Sequence, residues 1–162
     1  MKAVLFAYHE VGAAALDAML RNKIDVVAVF THRDDPSEGG WFRSVAMAAA
    51  KHGIPVHAPA DVNHPIWIER VRDMGPDALV SAHYRKMIGS DMLDVCPNHC
   101  YNIHASMLPK YRGRCPINWA LVNGETETGV TLHHMTVAAD AGDIVAQQSV
   151  VIDDDDTAAS LT

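Results

Sequence analysis

No stretch of this chain is apolar for long enough to cross a bilayer, which takes about 20 consecutive residues. The first apolar run, Ala3-Val4-Leu5-Phe6-Ala7, stops at Tyr8-His9-Glu10 and is too short for the core of a secretory signal. It reads as a buried first strand, and a cytoplasmic protein with no membrane partner is expected. Cysteine is scarce too. Cys96, Cys100 and Cys115 form no C-x-x-C pair, and an odd number without a secretory signal points to reduced thiols. Packing as small hydrophobes is the simplest role for all three. Positive charge is also in short supply: Lys and Arg number 13 against 20 Asp and Glu, a net charge of −7. That leaves no broad basic face, so a nucleic-acid partner is not expected. Finally, the turn after the first strand, Ala7-Tyr8-His9-Glu10-Val11-Gly12, lacks the G-x-G-x-x-G that brings a pyrophosphate to a helix N-terminus, and no Walker-type glycine–lysine loop occurs. A nicotinamide dehydrogenase or P-loop enzyme is therefore disfavoured.

What the chain does have is alternation. Strands are expected at Lys2–Ala7, Asp25–Phe30, Ile54–His57 (an edge strand, because of Pro55), Ala78–Ala82 and Cys100–Ile103. Helices are expected between them at Val11–Arg21, Trp41–His52, Asp61–Met74 and Ser90–Val95, then at Pro116–Val122. Thr31–Gly40 reads as an acidic loop and His104–Arg114 as a second loop. Thr128–Met135 and Gly142–Ile152 read as two strands with no helix between them. The expected class is α/β: a doubly wound, mostly parallel sheet in three layers, Rossmann-like, with a late antiparallel extension. Ligands of such folds bind at the carboxyl ends of the strands. Asp153–Asp156 followed by Thr157 reads as a capped helix start. One domain spanning residues 1–162 is expected, cut short at its C-terminal end.

Three places carry candidate chemistry. Asn102 and His104 are two apart at a strand's carboxyl end and so share a face. An amide N–H suits a developing oxyanion, and an imidazole can pass a proton near neutral pH. A polar strand end with a hydrogen-bonded histidine fits the same spacing. Arg112-Gly113-Arg114 sets two guanidiniums before a helix start, suited to phosphate or carboxylate, or simply solvated. Asp140 sits among small residues in Ala138-Ala139-Asp140-Ala141-Gly142, where it could fix a histidine ring or merely shape a turn. His133 and His134 are adjacent on a strand and face opposite ways, so they do not suggest a shared metal, and none is expected.

Taken together and in order, these residues resemble the 10-formyltetrahydrofolate-dependent formyltransferases. The likeness spans nearly the whole chain. It rests on Asn102-x-His104, on the S-x-L-P-x-x-R-G run from Ser106 to Gly113, on Glu127-Thr128-Gly129-Val130-Thr131, and on the Asp140-x-Gly142 turn. Within the family the wording is most similar to the formyltransferase domain of the bifunctional UDP-4-amino-4-deoxy-L-arabinose enzyme of lipid A modification. That likeness runs through Leu108–Arg114, Asn118-Trp119, Val122–His133, Thr31-His32 with Asp35-Pro36, and Val62–Pro65.

The resemblance implies N-formylation of a nucleotide-linked amino sugar, with 10-formyltetrahydrofolate as co-substrate and no metal. It implies that Asn102 stabilises the transition state, that His104 is the proton donor, and that Asp140 raises the pKa of His104. Folate contacts would come from Lys86, Met87, Ile88, Arg114 and the segment Thr136, Val137, Ala138, Ala139, Asp140. That segment lacks the basic character it has in some relatives. Methionyl-tRNA formyltransferase shares the catalytic set, but its tRNA-contacting loop is longer and basic, whereas Thr31–Trp41 carries Asp34, Asp35 and Glu38. A formyltetrahydrofolate hydrolase, a glycinamide ribonucleotide transformylase and a non-catalytic folate or sugar-nucleotide binding module are the other readings. A homo-oligomer is left open.

Overall fold

The structure is a computed structural model that describes residues 1–35 and 42–162. The chain divides into two compact units, residues 1–100 and 101–162.

The first unit is built on four parallel strands. They are β1 (Lys2–Ala7), β2 (Asp25–Phe30), β3 (Val56–His57) and β4 (Ala78–Ala82), in the order β3-β2-β1-β4. β1 is central and all of Ala3–Ala7 is fully buried, as a run of apolar residues covered on both faces must be. Helix α1 (His9–Arg21) buries Gly12, Ala15, Leu16 and Met19, one stripe at helical spacing. The chain winds from β1 outward to β3, then returns past β1 to β4. Right-handed crossovers therefore place α1 and α2 (Val45–Lys51) on one face and α3 (Pro65–Met74) on the other. On the α3 face Trp67 meets the Phe30 ring edge-on at 5.6 Å, and Phe6 stacks on Phe30 at 5.1 Å. The doubly wound parallel sheet expected from the alternation is present, with its switch point between β1 and β4. β3 is a two-residue edge strand, and the carbonyl of Pro55 just before it accepts from Val29 N–H at 2.9 Å.

Several expected elements differ from those observed. The helix expected over Trp41–His52 begins at Val45. Ser44 caps it, its hydroxyl accepting the Met47 N–H at 3.2 Å, and the Arg43 N–H goes instead to Glu10 at 3.1 Å. The Arg43 guanidinium also binds Glu10 and Asp17 on α1. Trp41, the beginning of that expected helix, and the Pro36–Gly40 part of the acidic loop lie outside the described residues. The helix expected from Asp61 starts at Pro65, because the residue before a proline is driven to an extended conformation and Asp61 takes the Asn63 N–H in a turn of its own. α4 covers Ser90–Leu93, two residues less than expected. Residues 153–162 form turns rather than a helix. Asp156 and Thr157 spend their bonding on Ser160, whose hydroxyl donates to Asp156 at 2.6 Å and accepts from Thr157 N–H at 2.9 Å. Cys96 and Cys100 pack as expected, with thiols donating to the Pro76 and Leu93 carbonyls at 3.2 and 3.3 Å. Cys115 does not: it is exposed, in a left-handed conformation at the start of α5 (Pro116–Val122).

The second unit is antiparallel. β5 (Cys100–His104) runs into it, and β6 (Glu127–His134) and β7 (Ile144–Val151) follow, with Asn102 opposite His133 and His104 opposite Thr131. Between β6 and β7 the chain must double back tightly. Gly142 permits this by close approach, since a Cβ there would overlap the His134 carbonyl oxygen. Gly142→Ala is expected to destabilise the protein by about 1–3 kcal/mol, typical of overpacking against a backbone that must move. Thermal unfolding of the variant at wild-type Tm would contradict this.

Candidate active site

The carboxyl end of β5, the loop after it and the β6–β7 turn bring Asn102, His104 and Asp140 together. Asp140 adopts a left-handed φ of 48 in the connection between β6 and β7. Its Oδ2 accepts the Gly113 N–H at 2.8 Å and lies 3.5 Å from His104 Nδ1. Its Oδ1 accepts an Asn102 amide N–H at 3.2 Å and lies 3.4 Å from His133 Nε2. The side chains are 12% exposed for Asp140 and 8% for His104, so water competes little for these contacts. Burial pushes the Asp140 carboxyl upward. The neighbouring His133, the Gly113 N–H and the charges of His104 and His133 outweigh it and hold the carboxyl below its ordinary range.

The far side of the His104 ring is also occupied. Nε2 lies 2.8 Å from the Tyr111 backbone carbonyl, which can only accept, so Nε2 carries a proton. With Asp140 facing Nδ1 at 3.5 Å, both ring nitrogens look onto oxygen acceptors.

Sequence reasoning missed the partner of Asn102. His133 is 1% exposed, and its Nδ1 donates to the His134 carbonyl at 2.8 Å. Nε2 is 3.1 Å from the Asn102 amide nitrogen. In the neutral ring it accepts from Asn102; in the charged ring it donates to Asp140. Either way the Asn102 amide nitrogen is turned inward, toward Asp140 and His133. No local signal announces this pair. A helix, α5, intervenes between β5 and β6, and a strand–helix–strand run ordinarily returns parallel. Here the return is antiparallel, and a register that sets Tyr101 against His134 necessarily sets Asn102 against His133.

The residues expected at the folate are divided. Arg114 is exposed, as are Thr136, Val137, Ala138 and Ala139 ahead of Asp140, all in the second unit. Lys86, Met87 and Ile88 lie in the first unit. There the Lys86 ammonium donates to the carbonyls of Pro59 and Ala60, Met87 is exposed with its carbonyl held by Asn63, and Ile88 is buried. The Lys86 charge is thus tied to its own chain. Among the described residues, no group of three or more His, Cys, Asp or Glu is placed to hold a metal ion, and no helix is long and apolar enough to cross a membrane.

The sequence signature of the family described as formyl transferase matches residues 1–162. The chain belongs to that family. Solved structures agree. The phosphoribosylglycinamide formyltransferase of Bacillus halodurans is 25% identical, with a TM-score of 0.83 over 99% of this chain and 85% of that one. WlaRD, described as a sugar 3N-formyl transferase and solved with dTDP and 5-N-formyl-THF, is 26% identical, with a TM-score of 0.74 over 99% of this chain and 56% of that one. A formyltetrahydrofolate deformylase of Pseudomonas syringae pv. tomato is 27% identical, with a TM-score of 0.73 over 97% of this chain and 53% of that one. The protein is a formyl-tetrahydrofolate-dependent formyltransferase with the α/β fold of its family.

Proposed function

We propose that this formyltransferase N-formylates a nucleotide-linked amino sugar, with UDP-4-amino-4-deoxy-L-arabinose as the first candidate, and that Asn102, His104 and Asp140 perform the chemistry. The observation that carries the acceptor is the wording of Leu108–Arg114 and Val122–His133, which resembles the aminoarabinose enzyme over both loop and strand. The sugar formyltransferase among the structural neighbours indicates that the fold accommodates that class of acceptor elsewhere. The net charge of −7 speaks against a tRNA acceptor, whose phosphates would be repelled.

Formyl-tetrahydrofolate, when bound, supplies an activated formyl carbon on a nitrogen leaving group. The site suits a carbonyl, since His104 Nε2–H already holds one, that of Tyr111, at 2.8 Å. In the reaction the acceptor amine attacks the formyl carbon while His104 turns this N–H to the formyl oxygen as it gains negative charge; the proton lost by the amine then passes to the folate nitrogen, by way of His104, as its bond to the formyl carbon breaks. Asp140 holds the ring through Nδ1 and balances its charge. Asn102 becomes a second donor by releasing His133, at a cost of about 1 kcal/mol for one neutral hydrogen bond. In the second unit, Arg114 and the exposed Thr136–Ala139 segment are the contacts we assign to the folate.

The experiment is a competition of acceptors. The protein is mixed with 10-formyltetrahydrofolate and, separately, UDP-4-amino-4-deoxy-L-arabinose, glycinamide ribonucleotide or initiator methionyl-tRNA, and tetrahydrofolate release is followed. Turnover is expected with the amino sugar nucleotide and not with tRNA. Efficient use of glycinamide ribonucleotide alone would shift the assignment to purine synthesis, a second reading favoured by the TM-score of 0.83 to a phosphoribosylglycinamide enzyme that this chain covers to 85%.

A further inference from the structure

The proton donor is held by a loop that is itself clamped. Tyr111, whose carbonyl receives His104 Nε2–H, sits at φ 56, a left-handed conformation that a bulky L-residue adopts only when its surroundings impose it. Its phenol supplies the constraint. The hydroxyl donates to Glu125 Oε1 at 2.8 Å and accepts from the Asn123 amide at 3.0 Å, so both of its bonding directions are fixed. Glu125 is anchored in turn, its N–H donating to the Ala120 carbonyl at the end of α5. The Lys110 ammonium also reaches Glu125, at 3.2 Å, but it is 64% exposed and contributes little. On either side of Tyr111 the loop is fastened by Ser106 to the Lys110 carbonyl at 2.6 Å and by Gly113 to Asp140.

We propose that Tyr111 and Glu125 are positioning residues for formyl transfer: their phenol–carboxylate bond sets the backbone carbonyl that aims the Nε2–H of His104 until a formyl oxygen replaces it. This rests on the reading of His104 as proton donor. The carbonyl acts as a stand-in acceptor, orienting the ring and keeping its reactive proton from water. Substrate then exchanges one carbonyl for another, with no change in the ring's charge. Loosening the clamp lets the carbonyl drift, the ring loses its aim, and the loss falls on turnover rather than on substrate binding.

The test compares Tyr111→Phe, Glu125→Ala and Glu125→Gln in the full chain. In protein with 15N-labelled histidine and no substrate, NMR reads the Nε2–H of His104 and its exchange with water. Tyr111→Phe and Glu125→Ala should each exchange that proton about tenfold faster, the worth of roughly one hydrogen bond. Glu125→Gln should keep most of the protection, because its amide oxygen still accepts the phenol proton. With 10-formyltetrahydrofolate and UDP-4-amino-4-deoxy-L-arabinose, kcat should fall about five- to tenfold in the first two while KM stays within about twofold. Unchanged exchange in both damaging variants, or equal loss in Glu125→Ala and Glu125→Gln, overturns the proposal. If Tyr111→Phe fails to fold, the two Glu125 variants decide alone. A wrong acceptor abolishes turnover in every form, wild type included, and leaves the NMR comparison intact.

Discussion

Replacing His104 with alanine is expected to lower turnover by about two to four orders of magnitude, the usual contribution of a positioned acid or base. The substitution removes the donor held between Asp140 and the Tyr111 carbonyl. It removes little else. His104 ends β5, and its backbone pairing to Thr131 does not depend on the ring. Asp140 keeps the Gly113 N–H and the Asn102 amide, so the β6–β7 turn stays closed over the strands. The variant should therefore fold and bind formyl-folate with KM little changed, while kcat collapses. Circular dichroism and thermal unfolding establish the fold, and tetrahydrofolate release measures the rate. A variant within about threefold of wild type would remove His104 from the chemistry.

Much of this was legible in the sequence, for a reason particular to each element. β1 and β2 are unbroken apolar runs, and their bounds, Lys2–Ala7 and Asp25–Phe30, are those expected. α5 was legible from Pro116 at its first position and Asn123-Gly124 after its end. The N-x-H spacing placed Asn102 and His104 on one face, where both now touch Asp140. What escaped the sequence is pairing and capping. Nothing local says that Arg43 will give its N–H to a carboxylate 33 residues earlier and so leave Ser44 to begin α2. Nothing in Tyr111 announces that its carbonyl, rather than its phenol, meets the histidine. Such contacts are set by register between distant segments, and a one-residue shift would replace His133 with His134 beside Asn102.

That dependence on register makes Asp140 the most exacting position in the site. Each oxygen of its carboxylate has an N–H to accept, Gly113's on Oδ2 and Asn102's on Oδ1. Asparagine has one oxygen. If it faces Gly113, its amide N–H groups point at the Asn102 amide nitrogen, donor against donor; if it faces Asn102, they point at the Gly113 N–H. In both arrangements the negative charge beside His104 and His133 is gone. Asp140→Asn is thus expected to cut turnover by about two to four orders of magnitude, up to the roughly ten-thousandfold loss that follows when a triad's ring-orienting aspartate becomes asparagine. Its effect on stability should depend on pH with a definite sign. The folded carboxyl titrates below its ordinary range, while in the unfolded chain it titrates at about 3.9. Above that value both states are charged and the folded state has the full benefit. As pH falls the unfolded chain binds its proton first, and the benefit is lost progressively until the folded carboxyl is protonated too. Urea unfolding of wild type and Asp140→Asn from neutral pH down to about pH 3 should accordingly show a stability gap that is widest near neutrality and narrows below about pH 4. A gap that widens with acid, or a variant that turns over at the wild-type rate, would mean that the carboxylate neither carries its charge at the site nor serves the histidine.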